Sequence, residues 1–474
     1  AKGEGGWFRL RGKVALSEEY SLAFSGGFSD EDRLNGTLYT GNGTRVWEAA
    51  VSLIKEVPEG DWGLETSAYI RDQEFYSRFS AVAADRNSEG PALDQYSVPS
   101  TAKGANIVGR KAFENGWSLE LGADYRHTSG ATNEQYFFSG GQFVRERSAG
   151  GEQTLLGFFA ETTKEVTETL DLSFGVRLDY FNNTDGFRQE TNLETEALIR
   201  NDSFADSDKW LPGGRAGFAW QTSEKVRVFG SLYTGARAPS LNELYRPFRV
   251  GSDITEANEA LDVERLYGGE LGFYAELQEA VRVKLTYFRN WLEDGVGNIT
   301  LTSAGGFYAP LGVFVPFGGS LSQRLNVDRI TVDGIEADFE VDIEEGLTLE
   351  ASYFWNNARI SKASVSPALE GNRLAQTPEH KGYAAIRWEP AEKWLVRVSA
   401  NMASKQYDDD GNSRVLGGYA TVDAFVSYEV REGLSLFAAG QNLLDKEVLT
   451  GLRSNGLRSV AAPASWRVGV QASF

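Results

Sequence analysis

The residues best equipped for chemistry cluster in one stretch. Tyr245, Arg246, Phe248 and Arg249 fall within five positions, around Pro247. A guanidinium binds anions and stacks on rings, and an aromatic face takes cations and apolar surface, so this mixture suits an anionic, partly apolar solute. The competing reading is that the four side chains pack within their loop or against its neighbours. Phe137, Phe138, Phe307, Tyr308, Phe314 and Phe317 lie in other glycine-rich stretches and carry the same two readings.

Other chemistry is thinly provided for. Cysteine is absent, which excludes disulfides and thiolate metal sites. The two histidines, His127 and His380, are far apart in sequence, and no nucleophile motif accompanies either, so an enzyme is not expected. Asp408, Asp409, Asp410, Gly411 and Asn412 have the oxygen spacing of a calcium loop but lack its distal Glu. A solvated acidic loop is the simpler reading, and no metal or cofactor is expected. Glu336, Asp338, Glu340 and Asp342 recur at every second position, which strand alternation explains better than a paired-carboxylate site. The net charge of -20 argues against nucleic acid.

The elements that must position these residues read as strands. The loop 238–262 joins a strand carrying Val226, Val228, Gly230 and Leu232 on one face to a strand carrying Leu271, Phe273, Ala275 and Leu277. The same period of two runs through Leu170 to Tyr180, Val281 to Tyr287 and Ile335 to Ile343. Tight turns at 17–19, 58–60, 114–116, 223–225, 344–346, 390–393 and 431–433 alternate with long loops at 129–152, 182–208, 238–262, 300–322, 361–379 and 406–417. Short turns at one end and long loops at the other mark a barrel of the outer-membrane type. Mean hydropathy of -0.35 hides such strands, because the apolar residues occupy alternate positions. Trp62, Trp117, Trp388 and Trp394 stand where turns begin or end, the depth of a bilayer interface.

These features predict an all-β fold, a transmembrane antiparallel up-and-down barrel with short periplasmic turns and long extracellular loops. About 19 strands can be counted, and single-chain bacterial barrels need an even number. A further strand is expected before Ala1 or within 131–152, for a total of 20 to 22. Trp466, Val468, Val470 and Ala472 alternate up to a terminal Phe474, like the membrane-insertion signal of bacterial barrels. The alternatives are a passive porin-type channel and a soluble β-rich binding protein.

One ordered set of motifs resembles a known family. Arg237, Pro239, Asn242, Glu243 and Tyr245 in the run Arg-Ala-Pro-Ser-Leu-Asn-Glu-Leu-Tyr, then Asn258, Leu261 and Glu264, match the TonB-dependent receptors. Ala236, Glu259 and Val263 replace the usual aromatic residue and two prolines. Asn442, Leu443 and Asp445 match a second segment near the penultimate strand, and 175–179 and 377–380 match two more. The resemblance implies residues 1–474 are one receptor barrel, with the N-terminal plug and possibly a first strand missing. It implies outer-membrane uptake of a scarce, bulky nutrient, most often a ferric siderophore, with cobalamin also known. Ligand would meet Tyr245, Arg246, Phe248, Arg249 and the loop aromatics named above. The implied partners are outer-membrane lipid and lipopolysaccharide, the barrel-assembly machinery and, through the missing plug, the TonB complex, around a monomer.

Overall fold

The computed structural model describes residues 2–56, 61–83, 85–250, 252–454 and 456–473. The turn at 58–60 and Phe474 lie outside the described residues. The chain winds as an antiparallel meander from Lys2–Ala15 to Ser465–Ala472, each long strand pairing with the next. The sheet holds 22 strands; three short ones, Leu198–Ser203, Phe248–Val250 and Asp253–Glu256, belong to loops, so 19 form the wall. The expectation of 20 to 22 wall strands thus differs from the 19 described. Among the described residues no pairing joins the first strand to the last. Both run towards the short-turn end, so the two free edges are parallel in direction.

The wall's register shows why it stands in a membrane. Phe8, Phe28 and Trp47 lie opposite one another on three adjacent strands, as do Tyr267 and Trp291 on two others. These rings face outward and are substantially exposed, as are Trp117, Trp220, Trp388 and Trp394 beside the tight turns. Trp210 and Trp220 share one strand and one face, ten residues apart. Ten residues span about 33 Å, or about 25 Å once tilted by roughly 40°, the height of an outer-membrane apolar band. No helix among the described residues is long and apolar enough to cross a membrane; the strands do the crossing.

Three tight turns share one device. Gly116, Gly346 and Gly433 close the turns 114–116, 344–346 and 431–433 at φ of 76°, 76° and 74°. Only glycine enters that region without a Cβ penalty, which explains the recurring final Gly.

The opposite end departs from expectation. Residues 129–152 are not a loop and hold no extra strand. They are the ends of two strands, Trp117–Ser139 and Gln142–Thr167, joined at Gly140 and Gly141. Residues 182–192 likewise continue the strand Leu170–Asn192. These extensions rise beyond the outer girdle, where the outward face no longer meets lipid and needs no apolar side chains. The tightly buried side chains gather at this end too, where loops fold onto the extended wall.

Candidate functional site

The loop 238–262 builds the centre of this end from a short local code. Ser240 caps the helix Leu241–Tyr245, and Glu243 completes the capping box by accepting from Ser240 N at 2.8 Å. The Arg237 fork grips Glu243 at 2.9 and 3.2 Å and also pairs with Glu264. Glu264 accepts from Val296 N at 2.6 Å. Pro239 is buried, and its carbonyl accepts from Gln153 Nε2 at 3.0 Å. Asn258 accepts from Ala260 N and donates to the Arg324 carbonyl, both at 3.0 Å. Leu261 closes on Leu244 and Tyr245. Arg237, Pro239, Glu243, Tyr245, Asn258, Leu261 and Glu264 therefore help fold the loop back into the barrel, whereas the Asn242 side chain is exposed.

Tyr245 is only 3% exposed. Its ring stacks on Phe204 with centroids 5.0 Å apart. Glycine makes the room: a Cβ on Gly186 would stand 2.5 Å from Tyr245 Cζ, and one on Gly151 3.1 Å from Cε2. Arg246 then enters a buried ionic row across the inner wall. Glu134, with no exposed surface, receives Arg246 Nη2 at 2.6 Å and Arg147 Nε at 2.8 Å. Arg147 also donates to the Pro247 carbonyl at 2.9 Å and lies 3.6 Å from Glu190. Glu190 accepts from Tyr136 at 3.0 Å and Arg188 at 2.8 Å, and Arg188 reaches Glu256 at 3.1 Å. Arg324 donates to the carbonyls of Asn242 and Arg246 at 2.9 and 2.6 Å.

The electrostatics follow from burial against pairing. Burial pushes the Glu134 carboxyl up, but the charges of Arg147 and Arg246 outweigh it and hold it below its ordinary 4.5. Glu190 is held down in the same way by Arg188 and Arg147. Arg324, buried beside the Arg246 charge, is pulled down to about 10. For Arg246, burial outweighs Glu134 and lowers it, and its Nε has no partner. Sequence reasoning missed Glu134, Arg147, Glu190, Arg188 and Arg324. A signal existed for the first pair: Glu134 and Arg147 are equidistant from the turn Gly140-Gly141 and pair in register.

The remaining candidates divide. Phe248 is held edge-on against Phe79, centroids 5.6 Å apart, with the Arg246 guanidinium over it at 5.0 Å. Arg249 lies 4.9 Å over the half-exposed Phe137 ring. Phe138 meets Phe143 edge-on at 5.2 Å. In the hairpin Gly306–Tyr308/Val313–Val315, Tyr308 packs on the cluster of Ile254, Val315 and Leu321. The other face is bare: Phe307, its cross-strand partner Phe314, and Phe317 are 67%, 59% and 86% exposed.

The acidic and histidine candidates have protein partners. Asp408, Asp409 and Asp410 each accept hydrogen bonds from neighbouring loop groups. Burial raises the Asp409 carboxyl, but bonds from Ser413 and Arg414 N hold it below the usual range. His127 meets Thr154 Oγ1 at 3.1 Å, and His380 meets the Tyr353 hydroxyl at 2.7 Å. Of the inward acids, Glu340 and Asp342 pair with Arg282, and Asp338 accepts from Ser352.

Near the last strands, Asn442 adopts φ of 49° and Asp445 φ of 48°. Asn442 Oδ1 accepts from Lys446 N at 2.9 Å, Leu443 N donates to the Val422 carbonyl, and Asp445 accepts from Ala464 N at 3.0 Å. This second motif is thus a side-chain-ligated turn. Trp466, Val468 and Val470 stand fully outward on the final strand.

A family profile described as TonB dependent receptor-like, beta-barrel, matches residues 3–443. The chain belongs to this family. Among curated relatives, a vitamin B12 transporter of Vibrio vulnificus is 24% identical over 98% of this chain and 71% of its own length. An iron-regulated outer membrane virulence protein of Vibrio cholerae is 23% identical, covering 48% of this chain and 35% of the relative. Among solved structures, the ferric yersiniabactin uptake receptor of Yersinia pestis superposes with a TM-score of 0.74 at 14% identity, covering 99% of this chain and 70% of the receptor. The copper transporter OprC reaches 0.77 at 14%, covering 99% and 72%. At such identity the structural likeness shows the fold alone. Family and barrel together place the chain in a Gram-negative outer membrane, as part of a receptor whose family implies TonB and a chelate or cobalamin ligand.

Proposed function

We propose that this barrel belongs to an energised uptake receptor for a bulky, scarce nutrient, a ferric siderophore or a cobalamin-like solute. The observation that supports this reading is the relationship to a vitamin B12 transporter along 98% of the chain, with an iron-regulated outer membrane virulence protein and a ferrienterobactin receptor among the other relatives. Energy comes from TonB, through a plug that none of the described residues forms. The 1–474 stretch is read as the single barrel domain of that receptor.

We read the candidate ligand residues in two sets. Tyr245 and Arg246 are buried and Phe248 and Tyr308 partly buried, and all four pack the outer loops together. Solute is met instead by Phe137 with Arg249 above it, and by Phe307, Phe314 and Phe317. Phe138 lies beside the first of these groups. The two groups offer different grips, a guanidinium with a ring and a purely apolar face.

The test is uptake by cells carrying the whole receptor, with TonB present or deleted. TonB-dependent accumulation of radiolabelled vitamin B12 or a ferric siderophore is the expected result. Equal accumulation in both strains would leave a passive channel and overturn the energised reading.

A further inference from the structure

The acidic turn 408–412 has no role in the reading above, yet three other outer loops converge on it. Asp408 accepts from Leu452 N and from Gln376 Nε2, each at 3.0 Å. Asp410 accepts from Thr300 N and Thr300 Oγ1, each at 2.9 Å, and its carbonyl accepts from Asn372 Nδ2 at 2.9 Å. Asn412 trades two bonds with the Arg373 backbone, at 2.8 and 2.9 Å. Asp409 turns inward on its own loop, accepting from Ser413 Oγ at 2.6 Å and Arg414 N at 2.7 Å, which keeps the turn rigid. A second clamp faces it: Asp253 accepts from Ser320 Oγ at 2.8 Å and from Ser454 Oγ at 2.9 Å.

Thr300 and Ser320 are the two legs of the segment that carries the bare phenylalanines. From 295 to 323 that segment runs 29 residues without a charged side chain, in a chain with 24% charged residues. It has no ionic groups of its own with which to hold a position. Aspartates from two other loops grip its legs instead.

We infer that the turn 408–412 is a keystone: it joins the loops around Thr300, Asn372 to Gln376, 404–418 and Leu452 into one lid that moves as a unit and carries Phe307, Phe314 and Phe317. Separate surface loops open independently at little cost. Loops that share charged hydrogen-bond acceptors do not, because each bond to a carboxylate resists opening and the network fails together.

Hydrogen exchange on the purified full chain in detergent tests this. Asp408→Ala combined with Asp410→Ala is expected to speed amide exchange about tenfold across 306–315, which neither residue touches, as well as at 372–376, which they hold directly. Faster exchange confined to the directly held 300–302, 372–376, 408–414 and Leu452 would overturn the inference, since the loops would then be separate bodies. If the double variant fails to fold, Gln376→Ala removes one bond and no charge. It is expected to speed exchange at Leu452, whose amide donates to the same Asp408 carboxylate. An unchanged Leu452 amide would overturn the keystone as well. Asp328→Ala is the control: Asp328 grips Ser364 Oγ at 3.0 Å on a neighbouring hairpin and is expected to loosen that contact alone. Loosening of 306–315 by this variant to the same extent would show that the lid is not keyed at 408–412.

Discussion

The loop 238–262 and the segment 303–319 are neighbours at the same end of the barrel, and they are held by opposite means. The first is rich in charge and is seated by it: Arg246 and the Pro247 carbonyl lock onto Glu134 and Arg147 out of solvent. The second carries no charge, buries one face of its hairpin on Ile254, Val315 and Leu321, and leaves the other in solvent. In the seat of 238–262 charge serves architecture, whereas the segment 303–319 leaves apolar rings exposed. Of the two readings drawn from residue type, packing within the loop is the one that Tyr245 and Arg246 follow.

The comparison breaks most sharply at Glu134. Glu134→Ala takes from buried Arg246 its carboxylate partner and leaves buried Arg147 only the longer 3.6 Å pairing with Glu190. Breaking a buried pair in this way costs about 3–5 kcal/mol. The expected outcome is release of 238–262 from its seat, read as rapid proteolysis or exchange at 241–250, while the hairpin 306–315 keeps its protection. Next comes Gly186→Ala. Its new Cβ would stand 2.5 Å from Tyr245 Cζ, and the ring cannot retreat because Phe204 stacks on it. Overpacking of this kind costs about 1–3 kcal/mol. A fall in the barrel's thermal midpoint with unchanged sheet content in circular dichroism is the expected reading.

Acid separates the two regions without a mutation. The Glu134 and Glu190 carboxyls are held below their ordinary 4.5 when folded. Their stabilisation is therefore complete above that value and is lost as pH falls through the folded value. The seat of 238–262 is expected to hold from pH 7 to about 5 and to loosen below about 4. The hairpin 306–315 carries no carboxylate or imidazole, so its packing onto Ile254, Val315 and Leu321 is not expected to respond to acid. Fluorescence of a label at Arg249→Cys against one at Ala309→Cys across this range measures the difference. Parallel loosening of both labels would contradict it.

Sequence carried the wall and lost the outer end, for one physical reason. Inside the membrane the outward residue must be apolar, so alternation at Leu170 to Tyr180 or Val281 to Tyr287 is plain. Beyond the outer girdle that demand lapses, and the strands around Glu134 and Arg147 read as polar loop although their backbone pairing continues. The 17 and 58 turns differ in standing: the first is seen closing on Ser17, and the second falls outside the described residues. The motif Arg237 to Glu264 was legible as a pattern, but that it folds inward follows from Gly151 and Gly186, far away in sequence. Within the hairpin, period two already separates Phe307 and Phe314 from Tyr308 and Val313. The face that would be buried depended on Ile254, which sequence did not bring near.

The smallest effect on stability is expected at the exposed phenylalanines of the segment 303–319. Replacing Phe307, Phe314 and Phe317 together by Ser removes three rings that rest mainly in solvent. Surface changes of this kind usually stay within about 0.5 kcal/mol each. The Phe307–Phe314 cross-strand contact is lost, but the opposite face of the hairpin, which carries its burial, is untouched. The thermal midpoint is thus expected to move little, whereas solute capture is expected to fall about tenfold or more, since apolar contact is all this face provides. The matched variant Arg249→Ala removes the one cation standing over Phe137. If uptake of an uncharged solute falls only with the phenylalanines, and that of an anionic chelate only with Arg249, the two surfaces divide the work by charge. If Arg249→Ala abolishes both while the triple variant abolishes neither, the bare hairpin is no contact surface, and the contrast between the two regions holds for architecture alone.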